Sequence, residues 1–237
     1  MSECVLFVEG QSEQIFVREM LLRRFNWDAT QLAIRCYKLN AEVLESAEYD
    51  YGNDDATHFI QLIDAHGDNK VVSAIKSRAA RLLEAGFEMI VGLRDMYSRA
   101  YREQSPNCVS ADLNKEFIKT IQEGIDEAGL SENVRIHYAI MEVETWMLAL
   151  LEKWKGDISM DDIKQFFNPD ADIETIFHPY LVMKNIKALM GDTYEKHKNQ
   201  VNSIMANINW EDYAKLYQSG RCPSFNAFYE TVILNCQ

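Results

Sequence analysis

Val5-Leu6-Phe7-Val8-Glu9-Gly10-Gln11-Ser12-Glu13 runs straight into Gln14-Ile15-Phe16-Val17-Arg18-Glu19-Met20-Leu21-Leu22. An apolar run ends in a glutamate and a glycine, and an amphipathic pattern follows almost at once. This reads as a buried strand, a tight turn and a helix. Gly10 lets the backbone turn sharply beside Glu9. Ser12 is the expected N-cap, with Glu13 in the first turn facing the positive end of the helix dipole. Open α/β sheets place their active sites at the carboxyl ends of strands, where Glu9 and Glu13 fall. The same strand-then-acid pattern recurs at Asp95, after residues 88–93, and at Glu142 and Glu144, after residues 135–141.

Working outward, residues 32–39 alternate apolar and polar side chains and read as a second strand. The acidic segment 45–55 reads as a loop, and 58–64 as a further strand, a candidate hairpin partner for the second. Helices are expected over 69–85, stopped by Gly86, over 112–128, stopped by Gly129, and over 143–154. This alternation predicts an α/β fold, a mainly parallel sheet with helices on both faces. After Lys155 the patterns at 160–167, 179–190, 194–208 and 225–234 are helical, with no clear strand. We therefore expect an α/β domain over 1–155 and a helical C-terminal appendage over 156–237.

The chain has 237 residues, 47% of them hydrophobic, which is ample for a core. Its net charge of −13 disfavours nonspecific nucleic-acid binding by bulk charge. Local basic side chains together with a divalent cation would still permit such binding. No apolar run approaches the roughly 20 residues that span a bilayer. Met1-Ser2-Glu3-Cys4 lacks the basic start of a signal peptide. Cys4, Cys36, Cys108, Cys222 and Cys236 are scattered, without Cys-x-x-Cys spacing, and read as reduced thiols of a cytoplasmic protein. The histidines lack metal-ligand spacing. The chain carries no Gly-x-Ser-x-Gly element, no Walker A loop and no Rossmann glycine fingerprint. This argues against a P-loop NTPase or a dinucleotide-dependent oxidoreductase.

Magnesium takes hard oxygen ligands and keeps several waters, so a few carboxylates from separate strand ends suffice to hold it. Glu9, Glu13, Asp95 and Glu144 are the catalytic candidates. Glu9, Asp95, Glu142 and Glu144 are the candidate ligands for Mg²⁺ or Mn²⁺. Glu142 and Glu144 share a side if extended and diverge if helical. Arg94, Arg99 and Arg102 flank Asp95 and suit phosphate geometry. Lys184, Lys187, Lys196 and Lys198, with Tyr194 and His197 between them, either track a nucleic-acid backbone or form a solvated helix face. Tyr97 either stacks on a base or sugar or simply packs.

Taken together, these segments resemble the Toprim fold, the catalytic domain shared by topoisomerases, primases and nucleases of the overcoming-lysogenization-defect type. Residues Val8 to Glu13 resemble the Glu-Gly-x-Thr/Ser-Glu motif of its nuclease branch. Ile90 to Asp95 resembles the strand bearing the second acidic motif. Val143-Glu144-Thr145-Trp146 resembles a glutamate–tryptophan segment of small Toprim-like proteins in defence islands. Tyr194-Glu195-Lys196 and Cys222-Pro223-Ser224-Phe225 resemble a bacterial Toprim-like family of unknown function often encoded beside an ABC- or SMC-like ATPase. The resemblance implies Glu9 as metal ligand or general acid/base, Asp95 as metal ligand, and phosphodiester cleavage in DNA or RNA. It also associates the chain with antiphage defence. The second motif of that fold is usually Asp-x-Asp, and here Tyr97 replaces its second acid. The departure leaves open a non-catalytic partner of an ATPase, and nucleotidyl transfer as a third reading.

Overall fold

In the computed structural model, which describes residues 2–67, 70–169 and 171–234, the opening stretch forms strand β1 (Ser2–Val8) and helix α1 (Gln11–Arg24). Strands β2 (Leu32–Asn40), β3 (Val43–Ser46), β4 (His58–Asp64), β5 (Met89–Asp95) and β6 (Val134–Ala139) complete one six-stranded sheet of order β3-β2-β4-β1-β5-β6. Among the named strands of the described residues, only the β2–β3 pairing is antiparallel. The α1 crossover carries the chain past one strand position, and β4 later fills that gap between β1 and β2. The expected hairpin between β2 and β4 is therefore corrected. The two are parallel, and the hairpin partner of β2 is β3, drawn from the edge of the expected loop. Burial explains the choice. Ile60, Leu62 and Ile63 of β4 are enclosed as in a central strand, whereas β3 is mostly exposed, as an edge strand can be.

Alternate residues of β1 feed two cores. Val5 and Phe7 pack with Val71 and Ile75 of α2 (Lys70–Glu84) and, beyond the short α3 (Arg99–Gln104), with Ile125 of α4 (Ala111–Glu127). Cys4, Leu6 and Val8 pack against α1 on the other face. That second core also takes in α5 (Glu144–Ala149), α6 (Met160–Ile163), α7 (Pro179–Leu189), α8 (Lys198–Met205), α9 (Trp210–Ser219) and α10 (Pro223–Tyr229). Helix α1, sandwiched between sheet and helices, is buried on nearly every side. Its buried Glu19 is neutralised by Arg18, at 2.5 Å, and by Arg23.

Several expected helices are shorter than their apolar patterns. Residues 143–154 split into α5 and a 3₁₀ turn over Leu151–Lys153, and the segment expected to be helical from 194 becomes so only at Lys198. Asn69, the expected start of α2, and Cys236 lie outside the described residues. Cys36, Cys108 and Cys222 are free thiols. Among the described residues no helix is long and apolar enough to cross a membrane.

Gly92 sets the separation of β5 from α2. A Cβ there would lie 2.8 Å from Ile136 Cδ1, 2.9 Å from Ile75 Cδ1 and 3.1 Å from Val71 Cγ1. Gly92→Ala is expected to cost about 1–3 kcal/mol by overpacking, read as a lower urea midpoint at unchanged slope. An unchanged midpoint would refute this.

Candidate functional site

Strand register brings the acids together. Val8 lies opposite both Asp64 and Leu93, and Asp95 opposite Ala139, so four parallel strands end at one rim. Glu9 reaches across β5, and its Oε2 accepts the backbone N–H of Asp95 at 3.0 Å. Asp95 Oδ1 in turn accepts the N–H of Val143 at 2.9 Å, tying β5 to the turn that precedes α5. In that turn Met141 is left-handed (φ 66°), and Thr145 Oγ1 donates to Ile140 O at 2.8 Å. Glu142 lies within the turn and Glu144 opens the helix, and both point inward. Asp95, Glu142 and Glu144 can each present an oxygen within 4.8 Å of the others. Glu9 and Glu13 flank this trio, and every acid expected at the site reaches the same rim.

The supporting layer is aromatic. Trp146 packs on Phe16, Phe225 and Phe228 with ring centroids 5.6, 5.5 and 5.3 Å away, and its Nε1 donates to Ser224 Oγ at 2.9 Å. Gly10, not Ser12, is the N-cap of α1, and Ser12 is buried inside the first turn. The Gly10 backbone is extended (φ −160°), which any residue adopts. The constraint there is space, since a Cβ would meet Glu13 Oε2 at 3.2 Å.

Lys196 contributes the cation. It lies between α7 and α8 in a left-handed conformation (φ 57°), with Nζ 2.9 Å from Glu144 Oε2 and 3.2 Å from Glu142 Oε1. Tyr194 donates its hydroxyl to Glu144 Oε1 at 2.8 Å. Gln200 fixes this segment. Its Oε1 accepts from the N–H groups of Glu195 (2.8 Å) and His197 (3.2 Å), and its Nε2 donates to Thr193 O at 3.0 Å.

The left-handed residue also disperses the basic stretch, which is not one helix face. Lys184 pairs with Glu195, Lys187 is buried between Asp192 and the Trp154 ring, and Lys198 pairs with Glu48 at 3.0 Å. The arginines separate as well. Arg99 is exposed and pairs with Glu103 at 3.0 Å, Arg102 covers the Tyr97 ring at 5.5 Å, and Arg94 turns to the opposite face of the sheet. Tyr97 packs edge-on against Tyr101, Phe177 and His178.

Burial shapes the electrostatics. It pushes the Glu13 carboxyl up to about 7, with Glu144 and Asp64 adding to the rise and Lys196 opposing it. Burial, then Glu13 and Glu9, hold Asp95 well above the usual carboxylate range. Glu142 is also raised by burial, against Lys196. Burial works against the charge on Lys196, but Glu144, Asp95, Glu142 and Glu13 outweigh it and keep the ammonium protonated. Burial and Glu144 raise the Tyr194 phenol, which keeps its donor proton.

Asp64 is a rim acid that sequence reasoning passed over. It is 2% exposed, accepts the His66 N–H at 2.8 Å and is raised by burial. It closes a recognised strand, so the strand-then-acid rule applied to Glu9 and Asp95 finds it too. The rim thus concentrates hard oxygen donors in a buried setting that demands positive charge. Asp95, Glu142 and Glu144 could hold a metal ion, which would share the Glu142 and Glu144 carboxylates with Lys196.

A family model described as a domain of unknown function (DUF4276) matches residues 8–233. No curated protein and no solved structure matches the chain.

Proposed function

The chain belongs to that family, whose description carries no chemistry, and from the residues at the sheet rim we propose a Toprim-like, Mg²⁺- or Mn²⁺-dependent nuclease that hydrolyses phosphodiester bonds in DNA or RNA. The observation that carries this reading is the convergence of Asp95, Glu142 and Glu144 within 4.8 Å at the carboxyl ends of parallel strands. Glu142 and Glu144 offer the oxygens that an aspartate at position 97 would have supplied. When bound, a hard divalent cation would polarise the scissile phosphate and stabilise the leaving oxygen. Glu13, with a carboxyl near 7, can hold or release a proton at neutral pH, as an acid/base group must. Glu9 braces the Asp95 backbone, and Tyr194 orients Glu144.

A second reading has its own support. Lys196 already gives two of the carboxylates a counter-charge, as suits a non-catalytic partner of an ATPase. The two readings separate on one assay. Plasmid, single-stranded DNA and RNA are incubated with wild type and Glu9→Ala in Mg²⁺ and in Mn²⁺. Cleavage by wild type that Glu9→Ala abolishes is expected. Intact nucleic acid throughout, with a stable ATPase complex on co-purification, would favour the partner.

A further inference from the structure

Arg94 is a buried cation that the acidic rim does not neutralise. Side-chain alternation along β5 sends Asp95 toward α1 and Arg94 to the other face, where a Cβ on Gly92 would already meet α2. Arg94 is only 8% exposed, and its Nε is fully enclosed without a hydrogen-bond partner. Among the described residues no carboxylate pairs with its guanidinium. What it touches is the ring of Tyr138, its cross-strand neighbour on β6, with Cζ 5.8 Å from the centroid. The Tyr138 hydroxyl is likewise enclosed and unpartnered.

The guanidinium Nε and the phenol hydroxyl thus lie near one another, bonded neither to each other nor to any other group among the described residues. Buried polar groups are nearly always hydrogen-bonded, and a specific exception marks a missing partner. A face-on ring satisfies part of the guanidinium charge but none of its N–H groups. A guanidinium presents up to five donors in a planar fork, and the phenol adds one. The complement is an anion with several acceptor oxygens, and arginine matches phosphate in this bidentate way. The pair also sits at the carboxyl edge of the parallel strands, where sheets of this kind take their ligands.

We propose that Arg94 and Tyr138 form the donor half of a phosphate oxyanion site at the β5–β6 edge, on the face of the sheet opposite the carboxylate cluster. The site stands apart from the nuclease reading, because anion capture at Arg94 needs neither metal nor cleavage. The test follows thermal unfolding and calorimetric binding of inorganic phosphate, with acetate as a carboxylate control, at matched ionic strength and with a chelator present. Wild type, Arg94→Met and Tyr138→Phe are compared.

Phosphate is expected to raise the melting temperature of wild type saturably, and acetate is not. Tyr138→Phe should bind phosphate about tenfold more weakly, from the loss of one charge-assisted bond. Arg94→Met should lose the response altogether. In phosphate-free buffer it should melt no lower than wild type, because it removes an unpaired buried charge without opening a cavity. A wild type insensitive to phosphate, an Arg94→Met variant that still responds, or an equal response to acetate would each overturn the assignment.

Discussion

Replacing Lys196 by Met will destabilise the protein by about 3 kcal/mol near pH 8, the scale for removing one partner of a buried ion pair. Glu144 has no exposed side-chain surface and Glu142 little, so both lose their counter-charge where water cannot replace it. The Glu142 carboxyl, already raised by burial, can respond only by taking up a proton, which moves its folded-state pKa further above the unfolded one. With the folded state then binding more protons than the unfolded, stability falls as pH rises. The deficit should therefore be small at pH 5 and large at pH 8, measured by urea unfolding at both. Millimolar Mn²⁺ should stabilise the variant more than wild type, because no ammonium competes for the same oxygens. Equal losses at the two pH values, with no larger Mn²⁺ response, would show that Lys196 is not the counter-charge of this rim.

Asp95→Asn should separate activity from stability. The variant keeps the backbone N–H that Glu9 accepts and a carbonyl oxygen for Val143, so the hydrogen-bond frame survives while one negative charge disappears. Under the nuclease reading, cleavage should fall about 10²–10³-fold, the usual scale for losing one preorganised electrostatic group. The divalent-ion thermal shift should vanish. The metal-free variant should be at least as stable as wild type at pH 8, because a buried carboxyl with a raised pKa opposes folding once ionised. The same logic applies to Glu13. Its protonated form favours the fold, fully below pH 4.5, and that contribution is lost as pH rises through 7. Protons and metal compete there, so wild-type affinity for Mn²⁺ should increase from pH 6 to pH 8. Undiminished cleavage by Asp95→Asn would remove Asp95 from the chemistry.

The primary structure announced β1, the turn and α1 because a continuous apolar run and a helical period abut there. The strand-end acids at 9, 95, 142 and 144 followed from the same rule. Three things did not follow. Strand β3 is short, polar and exposed, so no periodicity marks it. Asp64 satisfies that rule, but a hairpin arm paired with β2 would end at the opposite rim, and only the parallel pairing brings Asp64 to this one. The place of Lys196 was masked because residues 194–208 keep a helical apolar rhythm through Tyr194 and Val201 while the backbone at 196 is left-handed. The Gln200 amide, bonded to three backbone groups, supports that shape, and no local propensity encodes a contact of this kind.

Lys196 is made 52 residues after Glu144. On a ribosome working at about 5–20 residues per second, that interval lasts roughly 3–10 s. Throughout it the nascent chain carries a finished row of carboxylates with no ammonium to meet them. Polypeptides released before this point would leave the rim open and self-repelling. The counter-charge of the rim thus arrives late, yet still ahead of Phe225 and Phe228, which pack on Trp146 beneath it.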